Sequence, residues 1–216
     1  MPTVRTPSSD SHIGLGPLLV LEGMPGTGKT TAVTRLASQG RQVIGEYTTT
    51  VGVTIPVGDH PPVADDSAHQ ANWLTKHRHV LAARRTGPVF CDRDWISALA
   101  YAASLPDGNR LLLARAGWAV RHLHRGDLAV ADAYLVLHVD AATSLTRRGD
   151  RLTPGHPWST PAGLARAAAF YTDPAAALAP VNPDLASALR SAAWRHLTGA
   201  SLDHTLRCLH DLAGRP

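Results

Sequence analysis

Cysteine, lysine, glutamate and long apolar runs are all scarce in this chain of 216 residues. The two cysteines, Cys91 and Cys208, cannot by themselves form a disulfide framework or a four-ligand zinc site. The absence of any run of about eighteen apolar residues excludes an ordinary transmembrane helix. Residues 1–16 lack the charged and apolar regions of a secretory signal. We therefore predict a cytoplasmic protein, with a flexible tail at residues 1–16 and one domain at residues 17–216.

The positive charge of the chain is scattered rather than clustered. The formal net charge is +4, and the longest runs of adjacent basic residues are pairs. Nucleic-acid binding needs a concentrated basic surface, so we expect no nucleic-acid partner. Nineteen of the 21 basic residues are arginine, which makes each lysine and glutamate more informative. These are Lys29, Lys76, Glu22 and Glu46, and three of the four fall where a nucleotide site would need them.

Short apolar segments alternate with helical patterns along the chain. The predicted strands are residues 17–21, 42–44, 89–91, 133–139 and 194–197. The predicted helices are residues 29–39, about 66–85, 95–104, 109–125, a start at 143–148, alanine-rich segments after 161, and 201–212. Residues 48–64 are predicted to form a loop. This alternation predicts an α/β fold in three layers, with a five-stranded parallel sheet between helices.

Residues 23–30 read GMPGTGKT and match the phosphate-loop pattern G-x-x-x-x-G-K-[ST]. The glycines let backbone N–H groups turn toward phosphate oxygens, and the new helix points its positive end at them. We expect Lys29 to reach the β- and γ-phosphates of ATP, and Thr30 to offer its hydroxyl to Mg²⁺. The alternative is an ordinary glycine-rich turn. The predicted nucleotide-binding residues are Gly23, Met24, Pro25, Gly26, Thr27, Gly28, Lys29, Thr30 and Thr31.

Two acids stand at the ends of predicted strands, where ligands of open α/β sheets gather. Asp92 follows the third strand and is the expected partner of Mg²⁺, while Arg93 beside it suits a transferring phosphoryl group. Glu46 follows the second strand and is the candidate general base. The alternative for each acid is a structural role in a helix cap or a salt bridge.

Three short blocks of this sequence resemble thymidylate kinases. They are residues 21–31, the segment D-R-x-x-x-S-x-x-A-Y at 92–101, and the strand at 132–140. The related deoxynucleoside kinases share the same layout. The resemblance implies that Glu46 deprotonates an acceptor hydroxyl and that Asp92 and Arg93 organise magnesium and phosphate. It also implies an arginine-bearing lid at residues 147–151 and, as in many kinases of this kind, a homodimer.

The sequence departs from thymidylate kinases at three places that bear on the acceptor. Pro25 stands where they usually carry an acid, and Asp94 stands where they carry an aromatic residue. After the second strand they carry Arg-Glu-Pro, whereas this chain has Gly45, Glu46 and Tyr47. The arginine that would hold an acceptor phosphate is therefore missing there. We expect an uncharged hydroxyl acceptor instead, either a nucleoside or a nucleoside-like or antibiotic-like compound.

Two arginines are the lid candidates. Arg147 and Arg151 are four residues apart and would share one helical face. Guanidinium groups match phosphate oxygens, and the proline- and glycine-containing loop at 152–161 would move as the lid closes. The alternative is a solvated basic helix end.

The helix at about 66–85 would lie beside the acceptor, by the same resemblance. Trp73 would stack on a base and Gln70 would bind its edge, with His69 and His77 as further candidates. Core packing is the alternative for this group. His77 and His79 are two apart on a helix and do not converge, so we do not expect a zinc site there.

Together these features predict an ATP-dependent phosphotransferase that uses Mg²⁺ and moves the γ-phosphate to a hydroxyl of a small molecule. A nucleoside or nucleoside-like acceptor is expected. An antibiotic phosphotransferase, a nucleoside monophosphate kinase and a nucleotide-dependent switch without an acceptor are the alternatives. No membrane partner is expected. The predicted catalytic residues are Lys29, Glu46, Asp92, Arg93, Arg147 and Arg151, and the predicted acceptor-binding residues are Glu46, His69, Gln70, Trp73, His77 and Arg93.

Overall fold

A five-stranded β-sheet forms the centre of the structure, a computed structural model that describes residues 14–62, 65–148 and 155–214. Its strands are β1 (Leu18–Gly23), β2 (Gln42–Ile44), β3 (Val89–Asp92), β4 (Ala133–His138) and β5 (Ala193–Thr198). The strand order is β2-β3-β1-β4-β5, and every neighbouring pair is parallel. The predicted α/β fold is confirmed, and each strand lies within two residues of its predicted position.

Helices cover both faces of the sheet. They are α1 (Lys29–Ser38), α2 (Asp66–Ala83), α3 (Ile96–Ser104), α4 (Asn109–Arg125), α5 (Ala141–Arg148), α6 (Pro161–Thr172), α7 (Pro174–Leu178), α8 (Pro183–Arg190) and α9 (Leu202–Ala213). Short 3₁₀ helices lie at Val57–Asp59 and Pro157–Ser159. None of the helices within the described ranges is both long and apolar enough to cross a membrane.

Local sequence accounts for several of the helix starts. The side chains of Asp65, Asn182 and Ser201 accept hydrogen bonds from backbone N–H groups in the first turns of α2, α8 and α9. Such caps satisfy donors that the helix itself leaves unpaired. Helices α6, α7 and α8 also begin with proline, whose fixed φ suits the first helical position.

The central strand β1 is buried on both faces, which explains its continuous apolar sequence. Leu18 and Val20 belong to a core cluster that includes residues of α3, α4 and α6. Leu19 and Leu21 belong to a second cluster, which they form with residues of α1 and α9. This packing fixes the carboxyl end of β1, from which the phosphate loop emerges.

Two predicted segments fall partly outside the described residues. Of the predicted tail, residues 1–13 lie outside them, while Gly16 exchanges two hydrogen bonds of 2.7 Å with Arg84 and so contacts the domain. Of the predicted lid, Arg151 and residues 152–154 also lie outside. The lid therefore stays a prediction.

Candidate active site

The carboxyl edge of the sheet brings three separate segments together. Gly23 ends β1, Glu46 follows β2 by two residues, and Asp92 ends β3 with Arg93 directly after it. Because these strands are parallel neighbours, their carboxyl ends meet at one place. The predicted phosphate loop, the predicted base and the predicted metal ligand therefore share one site.

The phosphate loop forms a tight turn between β1 and α1. Gly26 and Gly28 have φ values of 72° and 93°, a left-handed conformation that glycine adopts without a steric penalty. A Cβ at Gly26 would come within 3.1 Å of the Arg147 Cβ, so α5 also leaves little room for a side chain there. Ser144 of α5 donates a hydrogen bond of 2.8 Å to the Pro25 carbonyl. The loop is thus held in place by α5 as well as by its own strand and helix.

Lys29 is folded back onto the phosphate loop. Its Nζ donates hydrogen bonds to the carbonyls of Gly23 (3.1 Å) and Met24 (2.7 Å) and to the Thr27 hydroxyl (3.1 Å). Burial, reinforced by the nearby charge of Arg93, lowers the pKa of Lys29 to about 7. A phosphate bound beside Lys29 would favour its charged form, so anion binding and protonation of this lysine are coupled.

Thr30 and Asp92 form the second part of the loop site. The Thr30 hydroxyl donates a 2.7 Å hydrogen bond to Asp92 Oδ2. Asp92 Oδ1 is buried and has no hydrogen-bond partner among the residues that the structure describes. A carboxylate oxygen with spare capacity beside a hydroxyl suits Mg²⁺, which usually takes few protein ligands and completes its shell with water and substrate phosphates. The two residues therefore fit the predicted metal role.

Arg93 joins the phosphate loop to Glu46. Its NH1 donates hydrogen bonds of 3.0 Å to the Gly23 carbonyl and to Ser97 Oγ, and its Nε lies 3.2 Å from Glu46 Oε1. Burial opposes ionisation of Glu46, but the charges of Arg93 and Lys29 outweigh it, so the pKa of Glu46 is lowered. Glu46 is therefore an ionised carboxylate at neutral pH, and its side chain remains 31% exposed.

A cavity of about 620 Å³ connects these groups. One end, which we call the donor end, is formed by residues 25–31 of the phosphate loop and by Arg147. The other end, which we call the aromatic end, is lined by rings. These are Tyr47, His60, His69, Trp73, Tyr101, His156 and Trp158. Glu46 and Arg93 also line the cavity, so both ends belong to one space.

The rings of the aromatic end form two groups. Tyr47 lies 4.2 Å from His60 and 5.5 Å from Trp73, measured between ring centroids. Tyr101 and Trp158 each lie between 5.2 and 5.3 Å from His156. These distances are typical of packed aromatic pairs, so each group is a preformed apolar surface. Of these rings, the sequence had predicted Trp73 and His69.

Arg115 is a further residue of the aromatic end that the sequence did not reveal. Its Nε donates a 2.9 Å hydrogen bond to Asp66 Oδ1, and its NH1 donates one of 2.7 Å to the Ala98 carbonyl. Its guanidinium carbon lies 5.2 Å from the ring centre of Tyr101. The charge of Arg115 is thus paired with Asp66, and Arg115 supports the Tyr101 ring.

Two predicted acceptor residues on α2 do not line the cavity. Gln70 donates a 3.4 Å hydrogen bond to Asp66. His77 is 1% exposed and pairs through Nδ1 with the Trp73 carbonyl, and burial lowers its pKa to about 4. His77 lies one helical turn beyond Trp73, where α2 already packs into the core around Val80. The structure therefore corrects the acceptor role of His77 and makes it a core residue.

The predicted lid arginines have different outcomes. Arg147 lines the cavity and donates a 3.0 Å hydrogen bond to the Gly26 carbonyl. Arg151 lies outside the described residues, so its pairing with Arg147 stays a prediction. Arg148, which was not among the predicted site residues, lines the cavity as well.

The fold and the loop geometry together define a P-loop nucleotide-binding protein. The chain matches the AAA domain family over residues 18–152, and it belongs to that family. Among curated protein sequences, none matches this chain significantly.

Solved structures with the same fold include nucleoside and nucleotide kinases. Deoxyadenosine kinase from M. mycoides with bound dATP superposes with a TM-score of 0.60 at 11% identity, covering 90% of this chain and 97% of that one. Thymidylate kinase from Candida albicans gives a TM-score of 0.54 at 14% identity, covering 92% and 91%. These likenesses confirm the kinase-type fold that the sequence motifs predicted. At such low identity they establish the fold alone.

Proposed function

We propose that this protein is an ATP-dependent kinase that transfers the γ-phosphate to a hydroxyl group of a nucleoside or nucleoside-like small molecule. One observation carries the proposal: a single cavity joins the phosphate loop to an ionised carboxylate, Glu46, and to a ring-lined end. A phosphate donor, a proton acceptor and a place for a second substrate are what phosphoryl transfer to an alcohol requires.

The donor end binds the triphosphate. Backbone N–H groups of the loop and the start of α1 take the phosphate oxygens, and Lys29 leaves its loop carbonyls to contact the β- and γ-phosphates. Thr30 and Asp92 would hold Mg²⁺. When bound, this ion neutralises charge on the β- and γ-phosphates.

Glu46 acts as the general base. The acceptor oxygen attacks the γ-phosphorus, the bond from that phosphorus to the β–γ bridging oxygen breaks, and the hydroxyl proton passes to Glu46. Arg93 orients Glu46 through their 3.2 Å contact and, with Lys29 and Arg147, balances the negative charge of the transferring group. Asp92 is less suited to this step, because it is buried beside Thr30 and is the residue proposed to hold Mg²⁺.

The aromatic end favours an uncharged acceptor that carries a flat ring. Its ring groups offer surfaces on which a planar group stacks. The charge of Arg115 is already balanced by Asp66, so this arginine is poorly placed to hold an acceptor phosphate. This supports a nucleoside or nucleoside-like alcohol over a nucleoside monophosphate. A hydroxylated natural product such as an antibiotic is the second candidate, because it fits the same ring-lined space.

The test is transfer of phosphate from ATP into a mixed panel, read by mass spectrometry as the gain of one phosphate. The panel holds nucleosides, nucleoside monophosphates and hydroxylated antibiotics, and each is also incubated without ATP as a control. A phosphorylated nucleoside supports the proposal, and a phosphorylated antibiotic supports the second candidate. Phosphorylated monophosphates would contradict the argument from Arg115. ATP binding without any product from a broad panel would favour a nucleotide-dependent switch.

A further inference from the structure

A buried lysine, Lys76, lies behind the site on α2. Its side chain has no exposed surface, and it is not among the residues that line the cavity. Its Nζ donates hydrogen bonds of 2.7 Å to the backbone carbonyls of Asp92 and Arg93. Burying an ammonium group opposes folding unless its hydrogen bonds compensate, so these two contacts need an explanation.

The two carbonyls belong to a strained turn. Arg93 has a φ of 59°, and it is the one non-glycine residue with positive φ within the described ranges. This left-handed conformation is unfavourable for any residue with a Cβ, so the surroundings must hold it in place. The Lys76 ammonium, with three donors, binds both carbonyls of the turn at once. On the other side, Glu22 accepts a 3.0 Å hydrogen bond from the N–H of Asp94.

The turn sets the direction of two side chains that the proposed reaction needs. Asp92 points to Thr30 at 2.7 Å, and Arg93 points to Glu46 at 3.2 Å. If the peptide between Asp92 and Arg93 rotated, both contacts would be lost together. The two lysines and two glutamates of the chain all lie at this site or directly behind it: Lys29, Lys76, Glu22 and Glu46.

We propose that Lys76 is a positioning residue for phosphoryl transfer, which fixes the Asp92–Arg93 turn from behind through its two carbonyl contacts. The inference depends on the proposed function, because it concerns how Asp92 serves the metal and how Arg93 serves the base. Lys76 itself touches neither substrate.

The test compares Lys76→Met, which keeps the length of the side chain but removes its donors, with Val80→Ala. Val80 is equally buried one turn further along α2 and is not part of the site. For each protein we would measure kcat, KM for ATP, the melting temperature, and the Kd for ATP in Mg²⁺ and in EDTA. In K76M we expect kcat to fall by about a hundredfold, since residues that orient a metal site act on that scale. The Kd for ATP in EDTA should change by less than about threefold, while the gain in affinity on adding Mg²⁺ should disappear.

Val80→Ala separates positioning from general loss of stability. It should lower the melting temperature but keep both kcat and the Mg²⁺-dependent gain in ATP affinity. If K76M behaves like V80A, the positioning role is overturned while the proposed function stands. If the wild-type protein transfers no phosphate and its ATP affinity does not respond to Mg²⁺, both proposals fail.

A second variant covers the case in which K76M does not fold. The shorter side chain of Lys76→Gln can donate to at most one of the two carbonyls, those of Asp92 and Arg93. We therefore expect an intermediate loss in kcat of about tenfold. Its ATP affinity in EDTA should match that of the wild type. A fully active K76Q would overturn the role assigned to Lys76.

Discussion

The donor end and the aromatic end of the cavity are built in different ways. The donor end comes mostly from one continuous stretch, residues 25–31, and the phosphate-binding groups that we propose for it are largely backbone N–H groups. The aromatic end is assembled from side chains of five separate segments: residues 47–62, α2, α3, α4 and residues 156–158. A site formed by backbone groups depends on a particular local sequence, such as the phosphate loop. A site formed by side chains depends instead on the fold bringing distant segments together.

This difference also separates what each end can recognise. The donor end combines Lys29 and Arg147 with the start of α1, so it suits the charge shared by all triphosphates. The aromatic end offers rings and a paired arginine, so its preference depends on shape. Substitutions at the donor end should therefore remove transfer for every acceptor, and those at the aromatic end should act on acceptors selectively.

Lys29→Ala should have the largest effect. We expect turnover to fall by about a thousandfold or more with any acceptor, because the charge at the β- and γ-phosphates is lost. Turnover with saturating ATP and acceptor measures this loss. The melting temperature should remain close to that of the wild type, because the hydrogen bonds of Lys29 go to groups of the phosphate loop itself. Arg35→Ala, an exposed change on the same helix, is the matched control and should keep full activity.

Glu46→Gln tests the group that lies between the two ends. Removing a general base reduces transfer by about 10² to 10⁴, so we expect at least a hundredfold loss in kcat. The Kd for ATP should be unchanged, as measured by calorimetry, because Glu46 is not part of the phosphate loop. Asp92→Asn is the comparison: it should weaken the Mg²⁺-dependent part of ATP binding as well. If transfer survives in E46Q and only D92N abolishes it, Glu46 is not the base.

Tyr101→Ala should affect the aromatic end alone. Stacking of a ring on an aromatic side chain contributes about 1–3 kcal/mol, so we expect KM for a nucleoside acceptor to rise about tenfold. KM for ATP should change by less than about twofold. Tyr101→Phe keeps the ring and should keep the wild-type KM. Equal effects of Y101A on both substrates would break the distinction between the two ends.

The fold and the donor end were largely predictable from the sequence. Strands buried on both faces, such as β1, are short apolar runs, and the phosphate loop is a contiguous motif whose chemistry dictates its residues. Glu46 and Asp92 could be placed because the carboxyl ends of parallel strands meet. These inferences need only local sequence and one rule of topology.

The aromatic end could be predicted only in part, for a physical reason. Arg115 and Asp66 are 49 residues apart in the sequence and pair only because the fold brings Arg115 of α4 to the first residue of α2. Trp158 reaches the cavity from the loop predicted at residues 152–161, where nothing in the sequence indicated an acceptor-binding residue. Lys76 had one available signal, the rarity of lysine in this chain. For His77, the resemblance placed its helix beside the acceptor but did not show how far along that helix the cavity extends.

The smallest effect on catalysis should follow His77→Leu, which tests that corrected assignment. Since His77 lies in the core, KM for the acceptor should change by less than about twofold, although His77 belongs to the helix that carries Trp73. The expected effect is on stability. Burial lowers the pKa of His77 from its ordinary 6.5 to about 4, so the unfolded chain binds a proton more readily than the native protein between these values. The free energy of unfolding therefore has its full value, as far as His77 is concerned, above pH 6.5. It decreases as the pH falls from 6.5 toward 4.

At pH 5 this linkage is worth about 2 kcal/mol of the free energy of unfolding. Urea unfolding at pH 7 and pH 5 measures this effect. Between these pH values, the free energy of unfolding of H77L should fall by about 2 kcal/mol less than that of the wild type. His204→Leu, a change at an exposed position of α9, is the control and should keep the wild-type pH response. If H77L instead raises KM for the acceptor severalfold with no change in pH response, His77 contacts the acceptor after all. The acceptor site would then extend one helical turn further along α2 than the cavity of this structure does.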